Sequence, residues 1–89
     1  MDNWYVYVVR CADGTLYTGI ATDVRRRIAE HNGAGRRGAK CLRGRRPVRL
    51  VYQESFSSRS DAMKREYQIK QFGRALKERL VTAAPAATS

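Results

Sequence analysis

The stretch Trp4-Tyr5-Val6-Tyr7-Val8-Val9-Arg10-Cys11-Ala12-Asp13-Gly14-Thr15-Leu16-Tyr17-Thr18-Gly19-Ile20 decides the fold. Its first half is rich in β-branched and aromatic residues and reads as a strand, and Thr15 to Ile20 reads as the returning strand of a hairpin. The length of the connection sets which face each side chain takes. A two-residue Asp13-Gly14 loop pairs Cys11 with Leu16 and puts Tyr7 and Tyr17 on opposite faces. A three-residue Ala12-Asp13-Gly14 loop, with Gly14 left-handed, pairs Cys11 with Thr15 instead. The expectation is the three-residue loop. Gly19 then lies across from Tyr7, both tyrosines share one face, and Val6, Val8, Leu16 and Ile20 form the apolar set suited to the core.

Beyond the hairpin, Thr22-Asp23 offers an N-cap for a helix from about Asp23 to Asn32, stopped by Asn32-Gly33. Its apolar stripe is thin, Val24 and Ile28, and Arg27 and His31 border that seam three residues beyond each apolar position. Residues 33–46 hold four glycines and six cations and read as a mobile basic loop or a poorly formed turn of helix. Val48 to Glu54 reads as a third strand, antiparallel to one of the first two. A helix capped by Ser57 or Ser58 runs to Phe72-Gly73, and a short one from Arg74 to Thr82 uses Leu76 and Leu80. The expectation is one α/β (α+β) domain over residues 1–82, a three-stranded antiparallel sheet flanked by helices in the order β-β-α-β-α-α. Residues 83–89 read as a disordered tail.

A chain of 89 residues buries about 60–65% of its unfolded surface, enough for one modest core. No apolar run approaches the ~20 residues of a membrane span, and no signal peptide is read at Met1-Asp2-Asn3-Trp4, so a cytoplasmic protein is expected. Cys11 and Cys41 have no CxxC grouping; with His31 they would lack a fourth zinc ligand and any standard spacing, so ordinary thiols are expected. Eighteen Lys and Arg against eight Asp and Glu give a net charge of +10. That excess attracts polyanions by counterion release and steering, nucleic acid first, and by itself says nothing of catalysis.

Three pieces belong together: Tyr5-Val6-Tyr7, Tyr17-Thr18-Gly19, and the pair Arg27 and His31 one helical turn apart. In this order and spacing they resemble the signature of the GIY-YIG nuclease superfamily over about residues 4–72. The first triplet keeps its tyrosine, Tyr7. In the second, Thr18 stands where isoleucine or valine is usual, between Tyr17 and Gly19. Arg27 matches the catalytic arginine, His31 a position often filled by histidine, and Glu66 the metal-binding glutamate. Gly38-Ala39-Lys40, Leu42-Arg43-Gly44 and Lys70-Gln71 resemble the small stand-alone bacterial branch (YhbQ-like) and the Slx-type structure-specific endonucleases.

Each residue also has a plain reading. Glu66 shares the inward helix face with Ala62, Met63 and Ile69, and a salt bridge to Arg65, Lys70 or a loop arginine would account for it. Tyr7 and Tyr17 would serve as half-buried sheet aromatics, and Arg25 and Arg26 as solvated charges. His31 could orient a tyrosine hydroxyl, contact phosphate, move a proton, or merely stabilise a helix end. The resemblance implies instead that Arg27 holds the scissile phosphate and that Glu66 binds Mg2+ or Mn2+. It further implies that Tyr7, with Tyr17 and His31, prepares the attacking water. The function expected is metal-dependent, structure-selective DNA cleavage on branched, flap or single-stranded substrates in repair or recombination. The basic residues Arg36, Arg37, Lys40, Arg43, Arg45, Arg46 and Lys70 would grip backbone phosphates. RNA is a second partner class, a targeting protein a further one, no membrane is expected, and the chain is expected as a monomer or weak homodimer. The alternative is a nucleic-acid-binding module that cleaves feebly or not at all.

Overall fold

In the computed structural model, which describes residues 3–33 and 47–83, six elements follow in the expected order. They are β1 (Trp4–Arg10), β2 (Leu16–Ala21), α1 (Val24–His31), β3 (Arg49–Phe56), α2 (Arg59–Gln71) and α3 (Arg74–Ala83). The sheet is antiparallel with strand order β2-β1-β3, so the most apolar strand sits in the middle with partners on both sides. The third strand begins and ends slightly later than the sequence suggests and pairs with β1.

The hairpin takes the three-residue loop. The Cys11 amide donates to the Thr15 carbonyl at 2.8 Å, and the Gly14 amide to the Cys11 carbonyl at 2.9 Å. Gly14 has a φ of 88°, a conformation a side chain would strain. The Asp13 carboxylate steadies the return by accepting from the Thr15 amide and hydroxyl. The register places Tyr7 opposite Gly19 and Val9 opposite Tyr17.

Both sheet faces are buried, the Val6 face expected as core and the Tyr7 face as well. Val6 and Val8 pack with Ala62 and Ile69 of α2, backed by Leu16, Ile20, Val51, Tyr52, Leu80 and Val81. On the other face Tyr7, Val9, Cys11, Ala21, Val24 and Val48 form a second cluster with Tyr5, Tyr17, Ile28 and Leu50. A register shift opposite Val8 and Val9 leaves Val51 outside the pairing, and Val51 and its neighbour Tyr52 both pack on the α2 face while Leu50 packs on the other.

Local signals at the helix ends match their roles. Asp23 caps α1 by accepting from the Arg26 amide, and Gly33 beyond its end has a φ of 104°. Ser58 caps α2 through the Asp61 amide. One long-range tie comes from Asn32, whose side chain accepts from the Val48 amide at 2.7 Å and donates to the Val48 carbonyl at 2.9 Å. It fastens the end of α1 to the chain entering β3. A bidentate ion pair from Arg10 to Glu78, at 2.7 and 3.1 Å, ties α3 to the hairpin. Among the described residues, no helix is long and apolar enough to cross a membrane.

Candidate active site

Tyr7 is the hub. It points from the central strand onto the α1 face and is 1% exposed. Its hydroxyl passes so close over Gly19 that a Cβ there would lie 2.6 Å from the oxygen and 2.8 Å from the ring carbon bearing it. Glycine at this strand position is therefore a matter of space, since only a bare backbone admits the phenol.

The hydroxyl shares a buried hydrogen bond of 2.8 Å with Nε2 of His31. The imidazole is 2% exposed, with the Tyr7 ring centroid 6.0 Å away and the Tyr17 ring edge-on at 5.6 Å. His31 is thus no solvated helix-end charge; of the sequence's alternatives, the structure realises contact with a tyrosine hydroxyl. Burial, and then the Arg27 cation, push the His31 pKa below its ordinary value, with Glu30 opposing in part. A neutral imidazole can accept the Tyr7 proton at Nε2.

The Arg27 cation lies close enough to the same hydroxyl to favour its ionised form. It donates to Glu30 at 3.0 Å. Burial works against its cation, but the bond to Glu30 and the nearby Tyr7 hydroxyl hold its pKa above the usual value. Arg26 makes a looser contact to Glu30 at 3.4 Å. The i,i+3 spacing from Arg27 to Glu30 was visible in the sequence, yet nothing there marked the pair as part of a site. A groove of about 370 Å³ opens at Arg27 and Glu30 and runs past Arg26 and Thr22 toward Trp4.

Burial, then the neighbouring Tyr17, raise the Tyr7 pKa to about 12, Arg27 pulls it down, and the Glu66 charge raises it a little further. Residues from α1 and α2 thus act on one hydroxyl although the two helices cover opposite sheet faces.

Glu66 is partly buried, and its Oε2 forms an ion pair with the Lys70 ammonium at 3.2 Å. Of the partners considered from the sequence, Lys70 takes it, while Arg65 turns to Glu54 at 3.0 Å in a cluster with Tyr52. Met63 does not share the inward face with Ala62 and Ile69: it is 45% exposed, because its angular position on α2 carries it past the sheet. Arg36, Arg37, Lys40, Arg43, Arg45, Arg46 and Cys41, with the tail beyond Ala83, lie outside the described residues.

As for a metal, no group of three or more His, Cys, Asp or Glu side chains stands together among the described residues, so no all-protein cage is offered there. A hard divalent ion suits a different arrangement, one carboxylate with retained waters and a substrate phosphate oxygen. The Glu66 carboxylate, partly exposed and close enough for its charge to reach Tyr7, fits that arrangement.

Comparison with known proteins gives the family. The family model of the GIY-YIG catalytic domain matches residues 3–79. The chain belongs to the GIY-YIG family. Within it, the chain is 60% identical over 76 residues to a UPF0213 protein of Halobacterium salinarum, covering 85% of this chain and 96% of that one. It is 57% identical over 81 residues to a UPF0213 protein of Desulfotalea psychrophila, covering 91% and 73% respectively. The solution NMR structure of a UPF0213 protein from Bacillus halodurans is 49% identical, with a TM-score of 0.58 over 90% of this chain and 83% of that chain.

Proposed function

We propose that the protein is a metal-dependent endonuclease that hydrolyses DNA phosphodiester bonds, with selectivity for branched, flap or single-stranded DNA. The observation that carries this reading is the convergence on the Tyr7 hydroxyl of His31 at 2.8 Å, Arg27 and the charge of Glu66. A purely structural buried tyrosine needs one hydrogen-bond partner; this one has a neutral acceptor and a cation.

The roles follow from the chemistry of each group. The Arg27 guanidinium, at the mouth of the groove, holds a non-bridging phosphate oxygen and stabilises the charge that grows there as the bond breaks. A phenol with a pKa of about 12 is a poor base alone. Coupled to neutral His31, it can act as a relay: its oxygen takes a proton from the attacking water as its own proton passes to Nε2. The water oxygen bonds to phosphorus, one ester oxygen departs, and solvent protonates that leaving oxygen. Tyr17 holds the imidazole edge-on and fixes its plane. Glu66 would hold Mg2+ or Mn2+, and such an ion, when bound, supplies charge neutralisation at the phosphate and makes ionisation of nearby groups easier. Lys70 stands next to it to meet backbone phosphate, and the basic residues between Gly33 and Pro47 extend that sequence-independent grip.

A second reading has its own support. The Lys70–Glu66 pair and the high Tyr7 pKa also suit a module that binds nucleic acid and cleaves little. Nicking of end-labelled single-stranded, duplex, flap and four-way DNA with Mg2+ or Mn2+ separates the two. Metal-dependent cutting, abolished in Glu66→Gln and Arg27→Ala while gel-shift binding survives, supports the nuclease. Binding without cutting, or equal cutting by both variants, overturns it in favour of the module.

A further inference from the structure

The outward side of α2 carries a surface that the candidate active site does not use. Tyr67 is 67% exposed and Met63 45%, one helical turn apart; among the described residues Leu76 on α3 is the other large apolar side chain this open. Around them Arg59, Ser60, Lys64 and Gln68 complete a shallow groove of about 750 Å³. Arg59 also lies over the Trp4 ring, 5.6 Å from its centroid, which holds the guanidinium at the start of the central strand.

Three features of this surface constrain what covers it. Its apolar part is one aromatic ring and one thioether side chain, too little for a protein interface core, which needs several buried anchors. The rim is cationic, and the whole chain carries +10, so a second copy would bring Arg59 and Lys64 against their own kind. A flat ring with a polarisable neighbour and flanking cations suits a strand that offers an unstacked base to the ring and phosphates to the cations.

We infer that the Met63–Tyr67 face of α2 is a stacking platform for an unpaired base of single-stranded DNA, with Arg59 and Lys64 on the adjoining phosphates. The inference rests on the nuclease reading for the identity of the strand. Tyr67 directly follows Glu66 on α2 and is turned outward from it by one residue's rotation, so a strand on the platform passes close to that carboxylate. Double-stranded DNA keeps its bases stacked on one another and leaves the ring unused. The platform thereby favours the unpaired portion of a flap or branch over plain duplex. Tyr67 acts by positioning the strand and takes no part in the bond chemistry.

The test is the affinity of the full chain for a short fluorescent single-stranded DNA, read by anisotropy in EDTA so that cleavage plays no part. Strands of the same length carrying abasic sugars, and a duplex, serve as comparisons. Tyr67→Ala and Tyr67→Leu are expected to weaken binding to the normal strand about 5- to 150-fold, the range for loss of one stacked base. Tyr67→Phe, which keeps the ring, should bind as the wild type does, and neither abasic strand nor duplex should distinguish the variants. Equal affinity of Tyr67→Ala and wild type for the normal strand overturns the platform. So does a loss of the same size on the abasic strand, or retention in Tyr67→Leu, which would mark a merely apolar contact such as one for a protein. A wild type that cuts nothing yet shows the ring dependence removes the nuclease reading and leaves the platform standing. Intact metal-dependent nicking with no ring dependence does the reverse.

Discussion

The Tyr7 hydroxyl and Nε2 of His31, 24 residues apart in sequence, meet at 2.8 Å inside the molecule. That bond joins the central strand to the last residue of α1. It can form because β2 presents no side chain at Gly19, and it is sheltered because the sheet is covered on the α1 face as well as the α2 face.

Gly19→Ala tests the space over which this bond forms. The added methyl would sit 2.6 Å from the hydroxyl oxygen, closer than any real contact, so the Tyr7 ring must move. Its far end is packed among buried groups and cannot swing freely. A destabilisation of about 1–3 kcal/mol is expected by urea unfolding, together with loss of nicking. Unchanged stability with full activity would mean that the hydroxyl does not depend on the bare backbone.

The His31 pKa lies below its unfolded value, so the folded state binds fewer protons in the range where the unfolded chain is protonated. Stability is therefore full above pH ~6.5 and falls as pH drops from there toward the lower folded pKa. Urea midpoints for the wild type should fall between pH 7.5 and 5, and fall less for His31→Gln. A wild type whose midpoint rises on acidification would contradict the sign. Activity should fall only below the ordinary histidine range, because the folded imidazole stays neutral until then and a protonated one cannot receive the Tyr7 proton.

Thr18 is 3% exposed, and its hydroxyl oxygen is buried without a hydrogen-bond partner. A buried hydroxyl of this kind costs free energy that an apolar group of similar shape does not. Thr18→Val is expected to raise stability by about 1 kcal/mol, read as a higher urea midpoint at unchanged slope. A lower midpoint would show that the hydroxyl is satisfied in solution.

Asn32 gives Val48 both an acceptor and a donor. Asn32→Ala leaves the amide and the carbonyl without these partners and should cost about 1–3 kcal/mol. Asn32→Asp keeps the acceptor toward the amide and loses the donor, so its loss should fall between wild type and Ala. If Asp and Ala unfold at the same denaturant concentration, the amide bond contributes nothing.

The legible parts of this protein were those whose physics is local. A loop of three residues with a left-handed Gly14 fixes hairpin register, and register with a period of two decides that Tyr7 faces Gly19 and Tyr17 faces Val9. Asp23, Ser58 and Gly33 mark helix ends because capping needs only neighbours along the chain. Those rules placed Tyr7, Tyr17 and Gly19 together, and they put Arg27 and His31 on one helix beside its apolar seam.

What only the tertiary structure decided was which groups met across long loops. It buried His31 against Tyr7, sent Arg65 to Glu54, turned Met63 outward, closed Asn32 onto Val48 and covered both faces of the sheet. Each of these pairings depends on competition among several chemically equivalent partners, and the winner is set by helix rotation and strand order, which are collective properties of packing.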